Sequence, residues 1–252
     1  MPITELIPIP TGINAGVNGA RQLTMKTLLG VPRGSFSNDC QPITNAVLRS
    51  MVVTADVGPF KATGLAPALD SLKQVLADIR QQEPEVFSGL GTAGMLCARL
   101  IRGSTSSISN HSWGTAIDIT LNGILDTRGD KKTQVGLARI APIFNEHDWY
   151  WGGGFPVEDA MHFELSEQKI RKLHAEGIFG AVTTLPPSAL SIGDRGQQVK
   201  QLQEKLNAQG DSLTLDGIFG PGTHAAVISF QARHGLNPDG IVGPATRAAL
   251  GL

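Results

Sequence analysis

The chain has 252 residues, enough for one large domain or two smaller ones. With 41% hydrophobic and 17% charged residues it can bury a core, which excludes a disordered chain. A formal net charge of -1 gives no electrostatic case for nucleic acid or an anionic membrane as the main partner.

Residues 1–37 are rich in Gly and Pro with little periodicity, and are expected to form an N-terminal arm. The first basic residue is Arg21, and Pro8 and Pro10 interrupt the early apolar stretch, so no secretory signal is expected. No stretch approaches the roughly 18 apolar residues of a membrane span. Ser50 to Ala55 reads as a strand. Leu69, Leu72, Val75, Leu76 and Ile79 recur at helical spacing over 66–82, and Pro84 is expected to help end that helix. A second short helix or strand is expected over 93–101. Cys40 and Cys97 form no CxxC pair and are expected as two buried thiols; a disulfide is the alternative, permitted in an oxidising compartment.

The chemistry concentrates in Ser109-Asn110-His111-Ser112-Trp113-Gly114-Thr115-Ala116-Ile117-Asp118 and in Asp159-Ala160-Met161-His162-Phe163-Glu164. Two imidazoles and a carboxylate (His111, Asp118, His162) are a common ligand set for a catalytic zinc, which leaves one position open for water. Strand alternation puts Ala116, Asp118 and Thr120 on one face, and His162 and Glu164 on one side of the second segment. Two such strands side by side would bring Asp118 and His162 to a common face, with His111 arriving from the preceding loop. Asp159 is then a candidate general base and Glu164 its rival, the latter better suited to orient a ligand imidazole. Arg99 and Arg102 lie on the approach to the motif and could face developing negative charge.

Trp149-Tyr150-Trp151 and the glycines that follow read either as a groove wall or as a core turn with packed aromatics. No Lys-Ser/Thr follows Gly152–Gly154, so this is no phosphate loop. Arg128-Gly129-Asp130 reads as a polar loop, and His147, His174, His224 and His234 as surface or packing histidines.

Thr183 to Ser188, with paired prolines, marks a semi-rigid linker at 181–188. Beyond it, Asp216-Gly217-Ile218-Phe219-Gly220-Pro221-Gly222-Thr223 returns as Asp239-Gly240-Ile241-Val242-Gly243-Pro244-Ala245-Thr246. Each copy is a turn, a Pro at a helix start and a Thr able to cap it. With Val199, Leu202 and Leu206 as a stripe before them, three short helices around one small core are expected.

These residues carry two resemblances. Leu190-Ser191-Ile192-Gly193-Asp194-Arg195-Gly196 with the two DGxxGPxT copies looks like the three-helix bacterial peptidoglycan-binding domain, over 189–252. Ser109-x-His111-x-x-Gly114-x-Ala116-x-Asp118 with Asp159-x-x-His162 resembles the zinc peptidases that include vancomycin-resistance D,D-carboxypeptidases, D,D-dipeptidases and phage L-alanyl-D-glutamate endopeptidases; hedgehog signalling domains share that fold. The resemblance implies one Zn2+ on His111, Asp118 and His162, an acidic base at Asp159, and an arginine for substrate or oxyanion, placed at Arg99. Ser109, Glu164, Arg102 and Trp151 are expected to support the ligands or meet substrate.

The expected architecture is an α+β zinc peptidase domain with a small antiparallel sheet over 38–180, joined to an all-α three-helix domain. The expected function is hydrolysis of stem-peptide bonds of bacterial peptidoglycan in the manner of an endolysin. L-alanyl-D-glutamate endopeptidase is favoured, D-alanyl-D-alanine carboxypeptidase is the alternative, and a non-catalytic wall-binding protein is the alternative of another class. The expected partner is peptidoglycan, met by a monomer without membrane insertion. Without a signal, the protein would reach the wall, in the periplasm or outside the cell, through holin-type lysis or another secretion route.

Overall fold

The computed structural model describes residues 1–179, 189–236 and 238–252. The expected linker at 181–188 lies outside them. In chain order the elements are strand β1 (Leu6–Pro8), helices α1 (Gln22–Leu29) and α2 (Ala46–Ser50), and strands β2 (Val52–Asp56) and β3 (Lys61–Leu65). Helices α3 (Ala66–Gln82) and α4 (Pro84–Gly89) follow, then strands β4 (Leu90–Gly94), β5 (Ala116–Leu121) and β6 (Lys132–Gln134). Helix α5 (Val135–Glu146), strands β7 (Trp149–Trp151) and β8 (His162–Leu165), and helices α6 (Glu167–Ala175), α7 (Gln197–Ala208), α8 (Pro221–Arg233) and α9 (Pro244–Leu250) complete the chain. The described residues fall into two compact units. One holds Met1–Arg21, Val47–Cys97 and 110–179; the other holds Gln22–Ala46, Ala98–Ser109 and the described residues from 189 on.

The first unit is α+β. Its main sheet is antiparallel throughout, in the order β4-β5-β8-β7. Ile117 and Ile119 of β5 and Phe163 and Leu165 of β8 are buried, as period-2 alternation requires of one face. Helix α3 buries Leu69, Leu72, Val75, Leu76 and Ile79, the stripe its sequence spacing demands. Helix α5 adds Leu137, Ile140 and Phe144, and the Phe144 ring stacks on Phe163 at 4.0 Å. The buried Trp149 indole donates to Ser71 Oγ at 3.0 Å, so its one polar atom is satisfied inside the core.

Three local expectations change. Pro84 does not merely stop α3: it opens α4 at a first-turn position, where its missing N–H costs nothing. The short helix or strand expected over 93–101 is instead a strand over Leu90–Gly94, which meets that range only at its end. Residues 1–37 are more than an arm, because β1 pairs with β6 and α1 buries Met25 and Leu29. Both elements are too short to print a period in the sequence. The cysteine expectation is also corrected: Cys40 and Cys97 are disulfide-bonded, and no thiol is free.

The second unit is helical around Val199, Leu202, Leu206, Phe219, Val227, Phe230 and Val242, all essentially buried. Its repeat is built on two buried glutamines. The Gln203 amide nitrogen reaches Asp216 Oδ1 (2.8 Å), the Ile218 carbonyl (3.0 Å) and Thr223 Oγ1 (3.2 Å), while the Gly217 N–H donates to Gln203 Oε1 at 3.0 Å. Gln231 repeats this with Asp239 (3.0 Å), Ile241 (2.9 Å), Thr246 (3.1 Å) and the Gly240 N–H (2.9 Å). Each turn therefore has its polar groups satisfied by one side chain, so the repeat is a structural device.

His224 of α8 is 3% exposed, and its Nε2 has no hydrogen-bond partner among the described residues. Burial, opposed by the charge of Asp239, lowers its pKa to about 4. The unfolded chain therefore takes up this proton at higher pH than the folded one. The contribution is fully present above the ordinary histidine value of 6.5 and is lost as pH falls toward about 4. Urea unfolding across that window should show a stability loss on the order of 3 kcal/mol beyond the trend of a His224→Gln variant. Parallel profiles for the two proteins would show that His224 is not the source.

Candidate metal centre

Each candidate ligand is delivered by a local structure its sequence dictates. His111 sits in the 3-10 turn Asn110–Trp113. The turn is closed by Gly114, whose N–H donates to the His111 carbonyl at 3.0 Å. Gly114 has φ +66, and a Cβ there would lie 3.0 Å from the Leu65 nitrogen, so both conformation and space select glycine. In the ladder between β5 and β8, Asp118 stands directly opposite His162. The three side chains converge: His111 Nε2 lies 3.1 Å from Asp118 Oδ1 and 3.1 Å from His162 Nδ1, and His162 Nδ1 lies 3.2 Å from Asp118 Oδ1. These are the described residues that could hold a metal ion, with ligand atoms within 4.8 Å of one another.

The outer atoms decide what the inner ones offer. His111 Nδ1 faces the Met95 carbonyl at 3.0 Å, which can only accept, so that nitrogen carries the proton and Nε2 presents a lone pair. His162 Nε2 faces Glu164 Oε2 at 2.9 Å, which leaves Nδ1 as a lone pair by the same logic. Two lone pairs and a carboxylate oxygen point at one another, an arrangement that a cation satisfies. The donor set of two imidazoles and one carboxylate fits zinc.

Glu164, 3% exposed, has both oxygens engaged: Oε1 accepts from the Ala20 N–H (3.0 Å), and Oε2 from Asn110 Nδ2 (2.8 Å) and His162. Carboxylate, histidine and ligand position thus form one chain. Burial opposes charge on Asp118, but His111 and His162 outweigh it and hold its carboxyl well below the usual range. Burial likewise opposes charge on His162, yet hydrogen bonds to Asp118 and Glu164 push it up to about 10, so a metal taken up at Nδ1 would displace a proton there. The cluster is a cation-attracting one.

Asp159 differs. Burial raises its pKa, the charge of Asp118 adds to this, and His162, Arg128 and His111 oppose it. Its Oδ1 is buried and has no hydrogen-bond partner among the described residues, while Oδ2 faces Arg128 Nε at 3.5 Å. Arg128, expected in a polar loop, instead meets the carboxylate beside the metal cluster. The bend carrying Asp159 is fixed from Gly152, whose carbonyl accepts from the Asp159 N–H at 2.9 Å.

The remaining sequence-predicted residues divide. Trp151 is fully buried, with its indole donating to the Ala160 carbonyl at 2.7 Å, so it packs under the bend and is no groove wall. Ser109, Arg99 and Arg102 belong to the second unit. There the Ser109 N–H donates to the Arg99 carbonyl at 3.0 Å, Arg99 Nη1 donates to the Leu100 carbonyl at 3.0 Å, and Arg102 is exposed. Nothing in the residue pattern marks Arg128 or Asn110 as part of the site. The close approach at Gly152 also had no signal beyond the glycine run itself.

A Cβ on Gly152 would lie 2.4 Å from the Asp159 carbonyl oxygen and 3.0 Å from His162 Cβ, so Gly152→Ala must displace the bend. A displacement near 1 Å costs about 100-fold in a positioned reaction. Gly152→Ala should therefore lower kcat/KM by one to two orders of magnitude, with weaker zinc retention on dialysis. Wild-type values of both would show that the bend yields without moving the ligands.

Residues 102–165 match the family model described as D-alanyl-D-alanine carboxypeptidase, and residues 195–250 match the peptidoglycan binding domain model. Among solved structures, the chain is similar to a peptidoglycan-binding protein from Clostridioides difficile solved with glutamine hydroxamate. That match has 42% identity over 25% of this chain and 40% of that chain, at a TM-score of 0.25. It is also similar to the Burkholderia AP3 phage endolysin, with 49% identity over 25% of this chain and 24% of that chain, at a TM-score of 0.25. The chain thus spans less than half the length of these solved chains. No curated protein matches it. No helix among the described residues is long and apolar enough to cross a membrane. The chain thus carries one segment that matches the D-alanyl-D-alanine carboxypeptidase model and another that matches the peptidoglycan binding domain model.

Proposed function

We propose that the chain hydrolyses a peptide bond of the peptidoglycan stem, with zinc held by His111 Nε2, Asp118 and His162 Nδ1. The observation that carries this reading is the pairing of a converged, pre-oriented ligand set with a second carboxylate of opposite character beside it. Zinc at such a site brings the pKa of water near neutrality and polarises a scissile carbonyl. Asp159 has a buried oxygen without a partner among the described residues and a raised pKa, which suit it to take a proton from the attacking water and pass it to the leaving amine. Glu164 has no free oxygen for that task and holds His162 in the ligating tautomer. The peptidoglycan-binding domain would raise the effective concentration of the enzyme at an insoluble substrate.

The favoured bond is L-alanyl-D-glutamate, because Asp in the base position and the aromatic, glycine-rich stretch before the last ligand resemble the phage endopeptidase branch. D-alanyl-D-alanine carboxypeptidase activity is the second reading, favoured by the description of the family model matched at 102–165. Action on the wall implies a site of work outside the cytoplasm; release by host-cell lysis remains part of this proposal.

Mass spectrometry of digested peptidoglycan tests it. A new N-terminal D-glutamate, lost with chelator and restored by zinc, is expected; free D-alanine would move the reaction to the second reading. Asp159→Asn should lower turnover by about 100- to 10,000-fold while keeping zinc stoichiometry and wall binding. A protein that sediments with the wall yet releases no product would leave wall binding as its activity.

A further inference from the structure

The loop between β5 and β6 is tied to the segment that carries Asp159. The Gly129 N–H donates to the Glu158 carbonyl at 3.1 Å, and the Lys131 N–H donates to Glu158 Oε1 at 2.5 Å. Glu158 is itself buried, at 8% exposure. The clamp fixes Arg128 against Asp159, with Nε 3.5 Å from Oδ2. The arginine side chain stays 40% exposed, against 25% for the aspartate. Among the described residues Arg128 makes no other ion pair or hydrogen bond, so the two terminal nitrogens of its planar fork have no protein acceptor.

From this geometry we infer that Arg128 is a specificity residue which recognises a carboxylate on the leaving-group side of the scissile bond. The inference rests on the reading of Asp159 given above. A group that protonates the leaving nitrogen must approach it within about 3 Å. A cation anchored on that same group therefore lies beside the leaving residue, not beside the acyl side. The α-carboxylate of an amino acid is two bonds from its nitrogen, within reach of a guanidinium seated there. Arginine suits this task because its fork binds a carboxylate through two parallel N–H donors. D-glutamate joined through its side chain presents such an α-carboxylate, and so does a terminal D-alanine. A stem whose D-glutamate α-carboxylate is amidated does not. The protein would then discriminate between wall types by the charge of one group.

Two synthetic peptide pairs test this. One is an acetyl-L-alanyl-D-glutamyl-lysine, linked through the glutamate side chain, with either α-carboxylate or α-carboxamide; the other is an acyl-D-alanyl-D-alanine and its terminal amide. On whichever pair is cleaved, the zinc-loaded full chain should favour the carboxylate by about 10- to 100-fold in kcat/KM, expressed mainly in KM. Arg128→Gln should lose that preference by weakening only the carboxylate member, with zinc content unchanged. Arg128→Lys, which keeps the charge without the fork, should fall between. Equal cleavage of both members by the wild type, or a preference that survives Arg128→Gln, overturns the inference. So does an equal loss of kcat on both members, which would make Arg128 a positioning residue for Asp159. If the wild type cleaves neither pair, the peptidase reading fails and this inference with it.

Discussion

The site depends on one ladder position, where Asp118 of β5 faces His162 of β8. Antiparallel pairing places opposed side chains on the same face within a few ångström, and a slip of one residue would send one of them to the core. The core resists that slip. Ile117 and Ile119 are buried on one strand and Phe163 on the other, with Phe163 stacked between Phe144 and Trp151. The polar cluster is thus held in register by the apolar face behind it.

The second constraint is the orientation of the rings, because a histidine in the right place binds a metal only through the nitrogen that lacks a proton. Met95 and Glu164 settle this from outside. Glu164 also gathers the Ala20 N–H and the Asn110 amide, so one buried carboxylate links the N-terminal segment, the turn bearing His111 and the strand bearing His162. Burying a carboxylate is tolerable only when its oxygens are satisfied, and here three donors do so. The same bonds that satisfy the buried carboxylate fix the candidate ligands.

Much of this was legible in the sequence, where period and residue type coincide. Alternation around Asp118 and His162 gave the face, the Ser109-to-Asp118 spacing gave the turn and strand, and the duplicated DGxxGPxT gave the repeat. What escaped depends on contacts between residues far apart in the chain. Ala20 lies 144 positions from Glu164, and Asn110 lies 54. A backbone donor carries no residue signature at all. Arg128 escaped because an arginine in a glycine-containing loop looks like any solvated charge until the loop is seen clamped to Glu158. Helix α5 escaped for a local reason: Pro142 sits inside it, and proline reads as a breaker unless packing repays the lost hydrogen bond. Leu137, Ile140 and Phe144 supply that packing.

The opposite pKa directions of Asp118 and Asp159 follow from their surroundings. Both are partly buried carboxyls near the same two imidazoles. Asp118 has His111 Nε2 and His162 Nδ1 at hydrogen-bond distance, so its charged form wins over burial. Asp159 feels the same histidines only through space, and Arg128, at 3.5 Å, is partly in solvent. Burial therefore dominates there and favours the proton. Two identical side chains are driven in opposite directions, one toward permanent charge and one toward reversible protonation, the separation that the proposed acid-base chemistry would need.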